Sequence, residues 1–362
     1  MQIAEARQKL DAIIAKARTD LYKPIQIAEV LYHARMGTVT IDPFDRETYR
    51  NPSKQWRDAI TLRFVGKRST SSARYQDDVW NETALPPIAL AALIAANTAN
   101  GGAVERSIYR AYAERHQTVA GVLTAVTHST PTTFDVQHLL NTFTEHPHLR
   151  RSIDKVYEIT AYCLFETFVT ALEATITVQI ADQQQPLLEA FADLAKQLLG
   201  IPDGHTAITR QAHIYRVGVT NAADRGLDMW ANFGSAIQVK HLSLTPQQAA
   251  VIVDPIESDH IVIVCRDADA DVIATIVHQI SWGQRVRGIV RESELIAWYA
   301  QFLRGQFADR LGQPLLTCLA ASLHAAFPQA AQLVTFLEER GYLRMEPDPF
   351  WDAPPPMPDP DL

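Results

Sequence analysis

The sequence predicts an α/β protein: a mixed sheet flanked by helices over residues 201–305, preceded by a mainly helical N-terminal part. Three observations predict it. Residues 224–244, DRGLDMWANFGSAIQVKHLSL, read as strand, turn and strand. The run His260-Ile261-Val262-Ile263-Val264-Cys265 has the length and β-branched content of a buried strand. Upstream of residue 200, apolar residues recur at helical spacing.

The elements follow in order. Residues 4–17 form an amphipathic helix and 24–36 a second one, and with a basic segment they make an N-terminal part, 1–80. Residues 81–200 are expected to be mainly helical, with helices over 87–96, 104–115, 133–144 and 153–174. The run 187–199 adds another helix, stopped by Gly200. The core, 201–305, opens with a strand at 214–219, then the hairpin, then a helix started by Thr245-Pro246 with proline at its first position. The strand at 260–265, a helix over 267–281 and a strand at 285–290 complete it, an α/β core of about a hundred residues. Residues 306–345 supply closing helices. The end, 346–362, carries five acids and seven prolines with no basic residue, too little apolar surface to fold.

The hairpin carries the chemistry. Residues 227–232 are bounded by Asp224-Arg225-Gly226 and by Asn232-Phe233-Gly234-Ser235. In the following strand, Gln238, Lys240 and Leu242 share one face, and Ile237, Val239 and His241 the other. A turn at 233–235 pairs Asp228 with Lys240; one at 232–234 pairs it with Gln238. Either register brings the three side chains to one face, whereas a two-residue turn sets Asp228 opposite Val239 and spoils the arrangement. A carboxylate and an amide oxygen within reach of one point suit Mg²⁺, which prefers hard oxygen ligands. A lysine beside them suits the charge that develops on a phosphate under attack. The pattern outlines a metal-dependent phosphodiesterase. An Asp and a Lys at this spacing also arise by chance as a solvated cross-strand pair, so the strand–helix–strand context is needed to raise the reading.

Composition excludes more than it selects. The 362 residues are 47% hydrophobic and 20% charged, as in a globular protein. No apolar run reaches the roughly eighteen residues of a membrane span, and the N-terminus lacks a signal-peptide pattern, so a cytoplasmic protein with no membrane contact is expected. Cys163, Cys265 and Cys318 are odd in number and far apart in sequence, which argues against a disulfide framework or a zinc cluster. His146-Pro147-His148 reads as a loop. The net charge of −8 argues against a general nucleic-acid binder, but its distribution is uneven. Between residues 50 and 75, Arg50, Lys54, Arg57, Arg63, Lys67, Arg68 and Arg74 face one acid, Asp58. Tyr49, Trp56 and Tyr75 and the run Ser69-Thr70-Ser71-Ser72 lie among them. Arginine suits guanine edges, and lysine and hydroxyls suit phosphates. The expected DNA contacts are Arg50, Lys54, Arg57, Lys67, Arg68, Ser71 and Arg74; the bland reading is a solvated basic face.

The core resembles the PD-(D/E)xK nuclease superfamily, and more closely the HaeII-type restriction endonucleases. The likeness rests on the hairpin, on Leu21-Tyr22-Lys23-Pro24-Ile25-Gln26-Ile27-Ala28-Glu29, on Tyr49-Arg50-Asn51-Pro52-Ser53-Lys54 and on Ser69-Thr70-Ser71-Ser72-Ala73-Arg74. It covers most of the chain. Gln238 departs from the superfamily pattern, which has an acid there, and a neutral ligand holds a metal more weakly. The resemblance implies a Mg²⁺-dependent type II restriction endonuclease cutting a palindrome, purine-GCGC-pyrimidine, in duplex DNA. Asp228, the Gln238 side chain and the Val239 carbonyl would hold the metal, and Lys240 would activate water and stabilise the transition state. Such cores often draw one more acid from a neighbouring helix: Glu158 is preferred over Glu166, Glu173 and Glu189, with Asp224 a weaker candidate. A homodimer suits a palindrome, and a methyltransferase of matching specificity is implied in the host. The rivals are a decayed DNA-binding protein of this fold, which retards DNA without cutting it, and a structure-specific repair nuclease, which yields no discrete fragments from intact duplex.

Overall fold

The computed structural model describes residues 1–69, 71–147, 149–217, 227–240, 260–279 and 286–353. They divide into two compact units. The first comprises Met1–His128, His138–Ile153 and the chain from Leu323 onward; the second comprises Ser129–Gln137 and Asp154–Ser322. The architecture is mixed α/β, as the sequence predicts. Among the described residues no single helix is long and apolar enough to cross a membrane.

The first unit is helical: α1 (Ile3–Lys16), α2 (Tyr22–Met36), α3 (Arg50–Val65), α4 (Ala73–Asp77), α5 (Pro87–Ala99), α6 (Ala103–His128) and most of α7 (Val136–Glu145). Its centre is α2, whose residues from Pro24 to Leu31 are all buried, and which packs on α3, α5 and α6. Apart from Gln26 and Glu29 this stretch is apolar on every side, as a helix inside a core is. It stops at Gly37, whose φ of 63° is the left-handed conformation glycine adopts without strain.

Two acids lie in this core. Glu29, 2% exposed, accepts from the Tyr109 hydroxyl at 2.5 Å and from Arg340 Nη2 at 2.9 Å. Glu105, fully buried, accepts from Asn97 Nδ2 at 2.9 Å, from the Tyr342 hydroxyl at 3.0 Å and from Arg35. Each acid is thus paired and hydrogen-bonded, the condition under which burial is tolerated.

His116 on α6 is buried against the Tyr112 ring, 4.2 Å between centroids. Burial, aided by the Arg115 charge, lowers its pKa from 6.5 to about 4. The unfolded chain therefore takes up the proton first, so the contribution is complete above pH 6.5 and is lost as pH falls toward 4. A drop from pH 7 to 4.5 is expected to cost about 2 kcal/mol through this residue. Thermal melts of native protein and His116→Phe at the two pH values check it: the variant's loss on acidification should be smaller.

The acidic C-terminal segment differs from expectation over its first part. Trp351 is 4% exposed, and Asp352 takes Arg106 Nη2 at 2.6 Å. An aromatic residue and an arginine 246 positions upstream anchor a stretch whose composition alone suggests no packing. Residues 354–362 lie outside the described residues.

The second unit holds the sheet, in the order β3-β4-β5-β6-β7: β3 (Ile214–Arg216), β4 (Met229–Ala231), β5 (Ser235–Lys240), β6 (His260–Cys265) and β7 (Val286–Arg291). β3, β4 and β5 are antiparallel neighbours; β5, β6 and β7 are parallel. The sheet is mixed and β5 is its middle strand, paired along its whole length with β6 and through Ala236 and Ile237 with β4. Ala236, Ile261, Ile263 and Cys265 pack against Ala270 and Ile273 of α11 (Asp267–Gln279). α8 (Ile153–Ala171) meets the sheet where the Tyr157 hydroxyl donates to the Cys265 carbonyl at 3.2 Å. α12 (Glu292–Arg304) and α13 (Ala308–Ala326) follow. The expected helix from Thr245 and the end of the strand expected at 214–219 lie outside the described residues.

The mainly helical reading of 81–200 places a helix over 187–199 and assigns no strand before residue 201. Instead β1 (Thr175–Gln179) and β2 (Ala207–Gln211) form a separate antiparallel ribbon that encloses two short helices, α9 (Gln185–Ala190) and α10 (Ala192–Leu198). The β-branched run Thr175-Ile176-Thr177-Val178 explains β1. Cys163 and Cys318, remote in sequence, bring their sulfurs to 2.9 Å as free thiols.

Candidate active site and nucleic-acid interface

The β4–β5 connection takes the turn at 232–234. Met229 stands opposite Ile237 and Trp230 opposite Ala236, so the ladder runs on from Asp228 toward Gln238. Gly234, at φ 95°, makes the reversal possible and donates to the Ala231 carbonyl at 3.0 Å. Asp228 Oδ2 then accepts the Val239 N–H at 2.7 Å, which locks the carboxylate against β5.

Burial is the largest cause pushing the Asp228 carboxyl up to about 6. The Val239 amide and the Lys240 charge pull it down, while Glu158 and Asp154 push it further up. Asp228, Val239, Lys240 and Glu158 therefore form one electrostatic neighbourhood. Lys240 ends β5 and is half-buried; Gln238, 1% exposed, is level with Ile263 of β6. The structure thus puts Gln238 in the interior beside the site.

α8 supplies the acids. Asp154, Glu158, Tyr162 and Glu166 recur every fourth residue and so share one face. Glu158 Oε1 accepts Arg216 Nε at 2.9 Å, and the Arg216 guanidinium lies 5.7 Å from the Tyr162 ring centre. Glu166 accepts the Ile214 N–H at 2.7 Å with Oε2 and meets His213 Nδ1 at 3.1 Å with Oε1. Strand β3 is held to the helix by two carboxylates, and the same strand pairs with the one that starts beside Asp228. Of the other candidate acids, Glu189 accepts from Gln185 on α9, Glu173 follows α8 at φ 52°, and Asp224 lies outside the described residues. Arg216 and Asp154 were missed in the sequence. The fourth-residue spacing on α8 and the strand at 214–219 are both visible there, whereas the packing of one on the other is not.

The residues fit a hard divalent cation in donor chemistry. All the candidate ligand atoms are oxygens, and the raised Asp228 carboxyl marks negative charge crowded into a poorly solvated place. Among the described residues no three His, Cys, Asp or Glu side chains come close enough to form a cage. Mg²⁺ does not need one, because it keeps waters and binds substrate phosphate.

The basic segment lies in the first unit and is only partly exposed. Arg57 is 1% exposed and donates to Asp58, to Gln26 Oε1 and to Gln76 Oε1, so it serves the core rather than a surface. Arg50 and Lys54 both pair with Asp77, at 2.8 and 2.7 Å. Lys67 donates to the Ala325 carbonyl at 3.2 Å, and Arg63 forms a two-point pair with Glu339. Arg68 and Arg74 are exposed, and Ser71 is half-buried. Arg50 and Arg74, with Arg46, Asp77, Asp78, Trp80 and Asn81, line an open cavity of about 370 Å³. Arg46 was missed because it precedes the basic run.

A mixed sheet flanked by helices, with a carboxylate and a lysine on adjoining strands and acids on the helix beside them, is consistent with a nuclease core joined to a helical part. The chain belongs to the HaeII restriction endonuclease family, whose model matches residues 6–342. It is 44% identical over 343 residues to the type II restriction enzyme HaeII of Haemophilus aegyptius, spanning 94% of this chain and 97% of that protein. It is 43% identical over 341 residues to the type II restriction enzyme NgoBI of Neisseria gonorrhoeae, spanning 93% and 96%. No solved structure matches the chain. Its activity is that of a type II, site-specific endonuclease.

Proposed function

We propose that this enzyme is a homodimer that hydrolyses one phosphodiester per strand, with Mg²⁺, at purine-GCGC-pyrimidine sites in duplex DNA. The observation that carries the chemistry is the Asp228 carboxylate fixed at 2.7 Å to the Val239 amide, next to Lys240 and the α8 acids. The target sequence rests on the family resemblance alone, as does a methyltransferase of matching specificity in the host.

Residues 201–305 carry catalysis in this reading, in a core of the PD-(D/E)xK kind. Asp228, the Val239 carbonyl and the Gln238 amide hold the cation, with Glu158 close by. When bound, the cation lowers the pKa of a water and neutralises phosphate charge. Lys240 orients the attacking water and donates to the phosphoryl oxygens as negative charge builds on them. Arg216 keeps Glu158 turned toward β3 and half-neutralised, which limits the repulsion that Asp228 feels. In the N-terminal part, Arg50, Lys54, Lys67, Arg68, Ser71 and Arg74 engage DNA, joined by Arg46 at the 370 Å³ cavity; Arg57 supports them from inside.

Digestion of a fully sequenced plasmid with Mg²⁺, and with EDTA, tests the proposal. Discrete fragments that need the metal and end within purine-GCGC-pyrimidine are expected. Fragments ending at another sequence would overturn the target, and cutting in EDTA would overturn the metal.

A further inference from the structure

The arm formed by β1, α9, α10 and β2 has no core of its own. None of the residues of β1, α9 or α10 is buried. An isolated two-stranded ribbon is marginal in water, and so are helices of this length. Yet the helices are strongly apolar. Leu188, Ala192, Ala195 and Leu199 are half-buried. A second set, Leu187, Phe191, Leu194 and Leu198, is 57%, 56%, 56% and 75% exposed. These four follow one another at steps of four, three and four along α9 and α10, which meet at Phe191.

Glu173, Asp182, Glu189, Asp193 and Asp203 outweigh Lys196 and Arg210 along the arm, which disfavours the DNA backbone. Lys196, one of the two basic residues, is already paired with Asp203 at 3.1 Å. Phe191 alone leaves roughly 100 Å² open, given about 150–250 Å² for an aromatic side chain, and three leucines of similar fractional exposure lie beside it in sequence. The patch therefore approaches the apolar share of a standard interface, about 800 Å² per partner and a little over half non-polar. A patch that meets its own copy does so about a two-fold axis, the symmetry by which most pairs of identical chains associate.

We propose that the 185–199 seam is the surface by which two copies of this chain associate. The inference rests on the homodimer reading above and assigns it a place: Leu187, Phe191, Leu194 and Leu198 of one copy cover those of the other, with the acids at the rim.

The test is sedimentation of the full-length native protein beside Leu194→Asp with Leu198→Asp, both at micromolar concentration. The native protein is expected to sediment as a dimer. The double variant should raise the dimer dissociation constant about 100-fold or more, as loss of central apolar contacts does, with an unchanged circular dichroism spectrum. Should that variant misfold, Leu187→Ser with Leu198→Ser gives the same readout with smaller disturbance. A native dimer whose folded variants stay dimeric overturns the seam and leaves the homodimer standing. A native monomer, with or without DNA, overturns both. Variants that remain dimeric but no longer retard DNA would show that the seam docks nucleic acid, which also overturns the proposal.

Discussion

Lys240→Ala is expected to slow duplex cleavage by about 10²–10³-fold, the scale lost with one stabilising donor at a developing charge. DNA retention in a gel should persist, because the change removes one charge at the end of β5 and leaves the basic segment intact. Asp228→Asn should reduce cleavage at least as far, for a different reason. It removes the carboxylate on which cation binding is proposed to depend, while the amide oxygen can still accept the Val239 N–H. The two variants separate in their metal dependence. Raising Mg²⁺ should recover part of the rate in Asp228→Asn and none in Lys240→Ala. Single-turnover cleavage across a Mg²⁺ series checks this, and a Lys240→Ala enzyme that cuts at the native rate would remove the lysine from the mechanism.

The largest effect on stability is expected in the first unit. Arg340→Met should lower its unfolding free energy by about 3–5 kcal/mol, the usual cost of leaving a buried charge without its partner. Glu29 is 2% exposed and keeps only the Tyr109 hydroxyl once Arg340 Nη2, at 2.9 Å, is gone. Burial works against the Arg340 charge too, but Glu29, with Tyr109 and Tyr342, raises its pKa overall. Adding Glu29→Gln to Arg340→Met should recover much of the loss, since the remaining group is then neutral and still accepts from Tyr109. Urea unfolding of the two single variants and the double variant measures the coupling. Additive losses would mean that the pair does not act as a unit.

Much of the second unit was legible in the sequence because its strands are short apolar runs bounded by turn residues. The run at 260–265 and the helix that follows formed within a residue or two of expectation at their described ends. Alternation left three hairpin registers open, two of which bring Asp228, Gln238 and Lys240 to one face; the turn at 232–234 is one of those two. The arm was misread because Leu187 through Leu199 carries a continuous helical period. Phe191, at φ −123° and ψ 34°, breaks it into two helices, and the preceding strand pairs with residues about thirty positions away. Periodicity registers neither event. The basic run was legible as composition, but Arg57 was not legible as a core residue: its partners Gln26 and Gln76 come from two other elements.

The sequence by itself determined the α/β class, the strand–turn–strand that carries Asp228 and Lys240, and the family. These rest on local period, turn chemistry and ordered residue blocks, all written along the chain. Only the tertiary structure decided which acids of α8 stand by Asp228, that Gln238 and Arg57 are buried, and that the 185–199 seam lies open. Each of those depends on what a side chain meets across space, and burial, which sets both the Asp228 carboxyl and the cost of losing Arg340, has no one-dimensional signature.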